Sequence, residues 1–200
     1  MISKAHLEKS IGYQNYRELL VNLLKEGKTT GHNQSPEYVE YGKVNVQRMK
    51  RLDKTVQLTP ETVQFFSNWT KKIHIVVITE GWCGDTAQFL PLLHKLETTF
   101  PMLQLHLILR DENPEVMNNY LTNGSRSIPK LIALDENLKE LFTWGPRPAP
   151  LQKIVKEALA NGVSATDKGI LTQNWYNHDS AVTMQQELLG LFSNLNKLTA

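Results

Sequence analysis

Apolar positions along the chain fall into two distinct rhythms. Tyr16, Leu19, Leu20, Leu23 and Leu24 recur at the spacing of one helix face, and Gly27 follows as a stop. A second helix is predicted from about Pro36 to Lys54, marked by Tyr38, Tyr41, Met49 and Leu52. Ile73-His-Ile-Val-Val-Ile-Thr79 and Leu103-Gln-Leu-His-Leu-Ile-Leu109 are short, dense apolar runs, the pattern of buried strands. Between them a helix from about Thr86 to Thr99 carries Phe89, Leu92, Leu93 and Leu96 on one side. Lys130 to Leu134 and Leu138 to Trp144 flank Asp135-Glu-Asn137 as a hairpin.

Local start signals sharpen this outline. Thr59-Pro60-Glu61 supplies a capping hydroxyl, a proline at the first helical position and an acid in the first turn, and Asn113-Pro114-Glu115 repeats the device for a short helix through Leu121. A helix over about Leu151 to Ala160 closes the alternation. Residues 161–200 read as two more helices, the second with Ala181, Met184, Leu188, Leu191, Phe192 and Leu195 on one side. A helix joining the first two strands makes them parallel, and the hairpin ends antiparallel, so the class is α/β with a mixed sheet of four to five strands. Three parts are expected: a helical extension over 1–55, the α/β domain over 56–160, and a helical extension over 161–200 packed on the core.

The composition fits a folded chain. Of 200 residues, 40% are hydrophobic and 21% charged, ordinary globular usage. The net charge of +2 gives no reason to expect nucleic acid or an anionic membrane as partner, and Arg48-Met-Lys-Arg51 reads as a solvated helix face. No stretch resembles a signal peptide or reaches membrane-spanning length, which points to the cytoplasm. His6, His32, His74, His94, His106 and His178 show no ligand spacing, so neither a metal nor a cofactor is expected.

One cysteine excludes an intrachain disulfide and suits a reducing compartment. Cys83 lies in Glu80-Gly-Trp-Cys-Gly-Asp-Thr86, where the first strand runs into a helix, at the end of a parallel sheet where ligands gather. Unpaired N–H groups and the positive end of the helix dipole favour a thiolate there, and would lower its pKa from ~8.5 into the ~3.5 to 7.5 range. Gly84 lets backbone approach a partner sulfur, and the Thr86 hydroxyl is placed to donate to the thiolate. Against this stands the common fate of a lone cysteine, a small buried hydrophobe. Glu80 and Asp85 flank the sulfur as candidate proton relays that also oppose its charge. Arg110, after the second strand, and Trp144-Gly-Pro-Arg147, after the hairpin, are expected at the same sheet end, where the arginines favour a thiolate or bind a carboxylate. Pairing of Arg110 with Asp111, Glu112 or Glu80 is the plain alternative.

Trp82-Cys-Gly-x-Thr86 between strand and helix, Pro91 inside that helix, and Ser127-Ile128-Pro129 opening a later strand together resemble the thioredoxin superfamily, over roughly residues 56 to 160. The helical extension and the Glu-Gly-Trp-Cys-Gly-Asp run look like a bacterial thioredoxin-like subfamily. The resemblance implies a three-layer thioredoxin-like fold with a cis-proline at Pro129, after Ile128, facing Cys83. Thr86 stands where the family holds its second cysteine. Dithiol turnover is therefore excluded, and the expectation is monothiol exchange with a disulfide- or thiol-bearing protein or a small thiol such as glutathione. The alternative is a non-catalytic module whose groove between Trp82, Pro129 and Trp144 holds a peptide or a small thiol. Whether the protein is an enzyme, and its oligomeric state, stay open at this level.

Overall fold

The computed structural model describes residues 2–197, with side chains to residue 195. Two compact units divide the chain, residues 1–146 and residues 147–200.

In the first unit α1 (Lys4–Glu8), α2 (Tyr13–Lys25), α3 (Pro36–Thr55) and α4 (Pro60–Ser67) precede β1 (Ile73–Thr79). Then follow α5 (Gly84–Thr99), β2 (Leu103–Leu109), α6 (Pro114–Met117), β3 (Lys130–Leu134) and β4 (Glu140–Trp144). The helix starts are those the sequence signals: Ser35 caps α3 by accepting from the Tyr38 N–H, Thr59 caps α4 by accepting from the Thr62 N–H, and each is followed by proline. Pro91 interrupts the hydrogen bonding of α5 from inside.

The sheet runs in the order β2-β1-β3-β4. β1 and β2 are parallel, in register from Ile73 opposite Leu103 to Thr79 opposite Leu109; β3 is antiparallel to both β1 and β4. Ile11 exchanges backbone hydrogen bonds of 2.8 and 2.9 Å with Leu107, adding a short fifth element at the β2 edge. Alternation along β1 sends Val76 and Ile78 to one face, where they join Ile108, Ile132, Val116, Met117 and Cys83 in a continuous apolar cluster. Helix α5, whose buried leucines are absent from that cluster, packs against β2, and α3 packs along α5.

Several boundaries differ from the sequence reading. The Asn113-Pro114 helix ends at Met117, because Thr122 and Ser125 exchange backbone hydrogen bonds across a tight turn soon afterwards. β4 begins at Glu140, since Leu138 has a positive φ and its N–H is drawn back to the Asp135 carbonyl. α1 falls inside the helical extension expected over residues 1–55, although no periodicity marks it as a separate helix. On α3 the buried side is Val39, Gly42, Asn45 and Met49, whereas Tyr41, an expected apolar mark of this helix, is 44% exposed. A glycine and an asparagine occupy core positions that a hydrophobic count passes over.

The second unit holds α7 (Ala149–Ala160), α8 (Ala165–Asp179) and α9 (Val182–Lys197). Ser164 caps α8 through the Asp167 N–H, the Ala149 N–H donates to Glu187, and Met184, Leu188 and Phe192 form the buried side of α9. Ser180 and Ala181, both at positive φ, separate the last two helices. Among the described residues, no helix is long and apolar enough to cross a membrane.

Candidate active site

β1 delivers the chain into a turn closed by the Cys83 N–H donating to the Glu80 carbonyl at 3.1 Å, and Cys83 then caps α5. Its carbonyl accepts from Ala87, so the sulfur sits beside the first turn of the helix, where N–H groups and dipole favour an anion. The Sγ–H donates to the Ile128 carbonyl at 3.4 Å, and the Ile128–Pro129 peptide that follows is cis. Cys83 is only 7% exposed and belongs to the apolar cluster under the sheet. Thr86, in the same helical turn, is buried, and its hydroxyl has no hydrogen-bond partner. Gly84 and Asp85 complete the turn as the first two residues of α5.

Residues from before the α/β alternation complete the surroundings. The Gly81 N–H donates to Thr30 Oγ1 at 2.7 Å, and the Gly81 carbonyl accepts from Asn45 Nδ2 at 2.9 Å. Arg48 Nη1 donates to Asn45 Oδ1 at 2.6 Å, and the same Nη1 lies 3.3 Å from where a Cβ on Gly84 would be. The Trp82 ring meets the tilted Tyr38 ring at a centroid distance of 5.0 Å, and the Arg110 guanidinium lies over it at 4.7 Å. Arg110 also pairs with Asp111 through Nε at 2.8 Å.

Glu80 is fully buried. Its Oε1 accepts from the Asp111 N–H at 2.9 Å, and burial pushes the carboxyl above the usual carboxylate range against the opposing pull of the Thr30 hydroxyl and that N–H. Burial also works against charge on Asp111, but the Arg110 guanidinium and the His32 N–H outweigh it and hold that carboxyl low. Gly31 is wedged among them at φ +79°; a Cβ there would lie 2.5 Å from Asp111 Oδ2, 3.2 Å from Glu80 Oε2 and 3.3 Å from the Trp82 indole nitrogen. Only glycine combines that backbone angle with that space.

Of the residues expected at the site, Glu80, Trp82, Cys83, Gly84, Asp85 and Thr86 form one turn, Ile128 and Pro129 meet it through the sulfur contact, and Arg110 joins through Trp82. Trp144 stacks on Phe89 of α5 at 4.4 Å and is itself buried. Arg147 is the first residue of the second unit. His74 and His106 lie on neighbouring strands and contact each other at 3.0 Å. Among the described residues, no three His, Cys, Asp or Glu side chains come together as a metal site would require. Thr30, Gly31, Tyr38, Asn45 and Arg48 join the site without having been expected there. Arg48, expected on a solvated helix face, instead reaches the start of α5. The available signal was Asn45, a polar residue in the buried register of α3 that must find a partner.

A parallel strand pair joined by a helix, a cysteine at that helix's start and a facing cis-proline define a thioredoxin-type α/β protein. Residues 32–160, more than half of the sequence, match the family model described as thioredoxin, and the chain belongs to that family. A protein of unknown function from Pseudomonas aeruginosa has a similar solved structure, with TM-score 0.56 and 16% identity, covering 94% of this chain and 99% of that one. An HIV epitope scaffold is similar at TM-score 0.59 and 15% identity, covering 87% of this chain and 97% of that one. At such identities the likeness is one of fold. No curated protein matches the chain.

Proposed function

We propose that Cys83 carries out monothiol exchange with a disulfide-bearing protein or a small thiol such as glutathione, in a reducing cytoplasm. The observation that carries this reading is the placement of the sulfur at the start of α5 against the Ile128 carbonyl and cis Pro129, with Thr86 as its neighbour one turn on. In such exchange the Cys83 thiolate attacks one sulfur of a disulfide. One S–S bond breaks, another forms, and the departing thiolate takes up a proton. A second thiol, from outside the chain, then attacks the mixed disulfide and returns Cys83 to its reduced form. The sequence has one cysteine, so both partners come from solution.

The burial of Cys83 favours the alternative, a binding module in which the sulfur is incidental. A thiol donating to a carbonyl is stabilised in its neutral form, which opposes the pull of the helix start. The pH profile of Cys83 alkylation decides between them. A midpoint well below ~8.5 supports exchange, and one at or above it supports the module. Mixed disulfides captured on Cys83 from a cell extract, identified by mass, would then name the partner.

A further inference from the structure

We propose that Arg48, carried by α3, is the positioning cation of Cys83, setting the turn from Gly81 to Gly84 and biasing the sulfur toward its anionic form. This rests on the exchange reading above. Asn45 is 2% exposed and uses both ends of its amide: Nδ2 donates to the Gly81 carbonyl, and Oδ1 accepts from Arg48 Nη1. Gly81 begins the turn that Cys83 completes. The same Nη1 reaches the first residue of α5, within 3.3 Å of an added Gly84 Cβ. One helix therefore braces the turn at its entry and brings a full positive charge to its exit, one residue from the sulfur.

Charge accounting gives that cation a purpose. Glu80 and Asp85 flank the turn, and Tyr16 lies buried nearby with its hydroxyl against Thr79. Burial raises the Glu80 carboxyl above the usual carboxylate range, and Asp85 sits in the first turn of α5, where a carboxylate opposes a second anion. Arg48 brings a guanidinium to the helix start itself, whereas Arg110 lies against Asp111 and the Trp82 ring. Thr86 is a second, independent sign that this turn is built for an anion: its hydroxyl is buried without an acceptor or donor, a costly arrangement that a neighbouring thiolate would relieve.

The test uses the intact chain, in which every alkylation event reports Cys83. The rate of reaction with iodoacetamide, a neutral probe, is followed from pH 5 to 10 for wild type, Arg48→Gln, Arg48→Lys and Arg51→Gln. Glutamine retains a donor for Asn45 and removes the charge; lysine retains the charge. The expected result is a midpoint about one pH unit higher in Arg48→Gln, so roughly a tenfold loss of thiolate below the midpoint, with Arg48→Lys close to wild type and Arg51→Gln unchanged. An acidic midpoint in wild type that persists in Arg48→Gln overturns the inference and leaves the exchange reading standing. Equal shifts in Arg48→Gln and Arg48→Lys overturn it as well, since charge is then not the cause. A wild-type midpoint at the ordinary cysteine value overturns the exchange reading and takes the inference with it.

Discussion

The thiol of Cys83 donates to the backbone carbonyl of Ile128 at 3.4 Å, tying the start of α5 to the residue ahead of cis Pro129 across 45 positions of sequence. That contact needs the proton. Ionisation of the sulfur would forfeit it, leaving the N–H groups of the first helical turn to favour the charge.

Replacing Thr86 by cysteine should turn this geometry into a dithiol site. Thr86→Cys is expected to form an internal disulfide on mild oxidation, because the residues are three apart at a helix start and a short adjustment brings their sulfurs to bonding distance. Titration of free thiols should fall from two to none. In its reduced form the variant should convert one equivalent of a disulfide substrate to two free thiols, ending as the internal disulfide, without added small thiol, which wild type should not do. Two titratable thiols after oxidation would show that Cys83 does not face the turn.

Gly31 should tolerate no side chain, in contrast with Gly27. Both have positive φ, but nothing lies within 4 Å of an added Cβ at Gly27, while at Gly31 it would meet Asp111, Glu80 and Trp82. Gly27→Ala should cost about 1 kcal/mol, the backbone penalty alone. Gly31→Ala should cost about 1–3 kcal/mol beyond that, as overpacking does. Urea midpoints for the two variants measure the difference, and equal losses would mean that the loop at residue 31 yields freely.

Acid should loosen the N-terminal segment through a histidine relay. Ser10 spends its hydroxyl proton on the Leu7 carbonyl, so its oxygen accepts from His106 Nδ1; His106 Nε2 then accepts from His74 Nδ1. Adding a proton to His106 Nε2 would set two donors face to face. Burial first, then the His74 and Lys72 charges, hold His106 down to about 4, and burial and Lys72 lower His74 also, with Asp135 pulling the other way. The unfolded chain takes up protons near ~6.5 and the folded one does not. Stability is therefore full above that pH and declines as pH falls toward 4. Between pH 7.5 and 5 wild type should lose about 1–2 kcal/mol through this pair after solvent screening, and His106→Gln should lose much less. Identical slopes in urea titrations would remove the relay from the account.

How far the sequence revealed these features depends on how local their causes are. β1 was legible because six of its seven residues are apolar or β-branched, and α4 because Thr59 and Pro60 act on their own helix. Cys83 stood out by being alone and by its place after β1. The Asn45, Arg48 and Thr30 contacts were not legible: their partners lie 36 to 51 residues away or are placed by packing between helices, and no periodicity carries that. Tyr41 shows the converse, since a tyrosine at helical spacing marks the core only when a facing element covers it.

The two bonds to Gly81 bear on where this protein can be cut. Both polar groups of that peptide residue, buried inside the molecule, are satisfied by side chains that come earlier than residue 56. A fragment beginning at residue 56 would keep every strand and the cysteine yet leave an amide and a carbonyl without partners, at about 1–3 kcal/mol each, besides exposing what Leu20 and Met49 cover. Against a total stability of about 5–15 kcal/mol that is a large fraction. If such a fragment were purified and its thiol proved inert, the inertness would describe a turn deprived of its braces, and would say little about the reactivity of Cys83 in the whole chain.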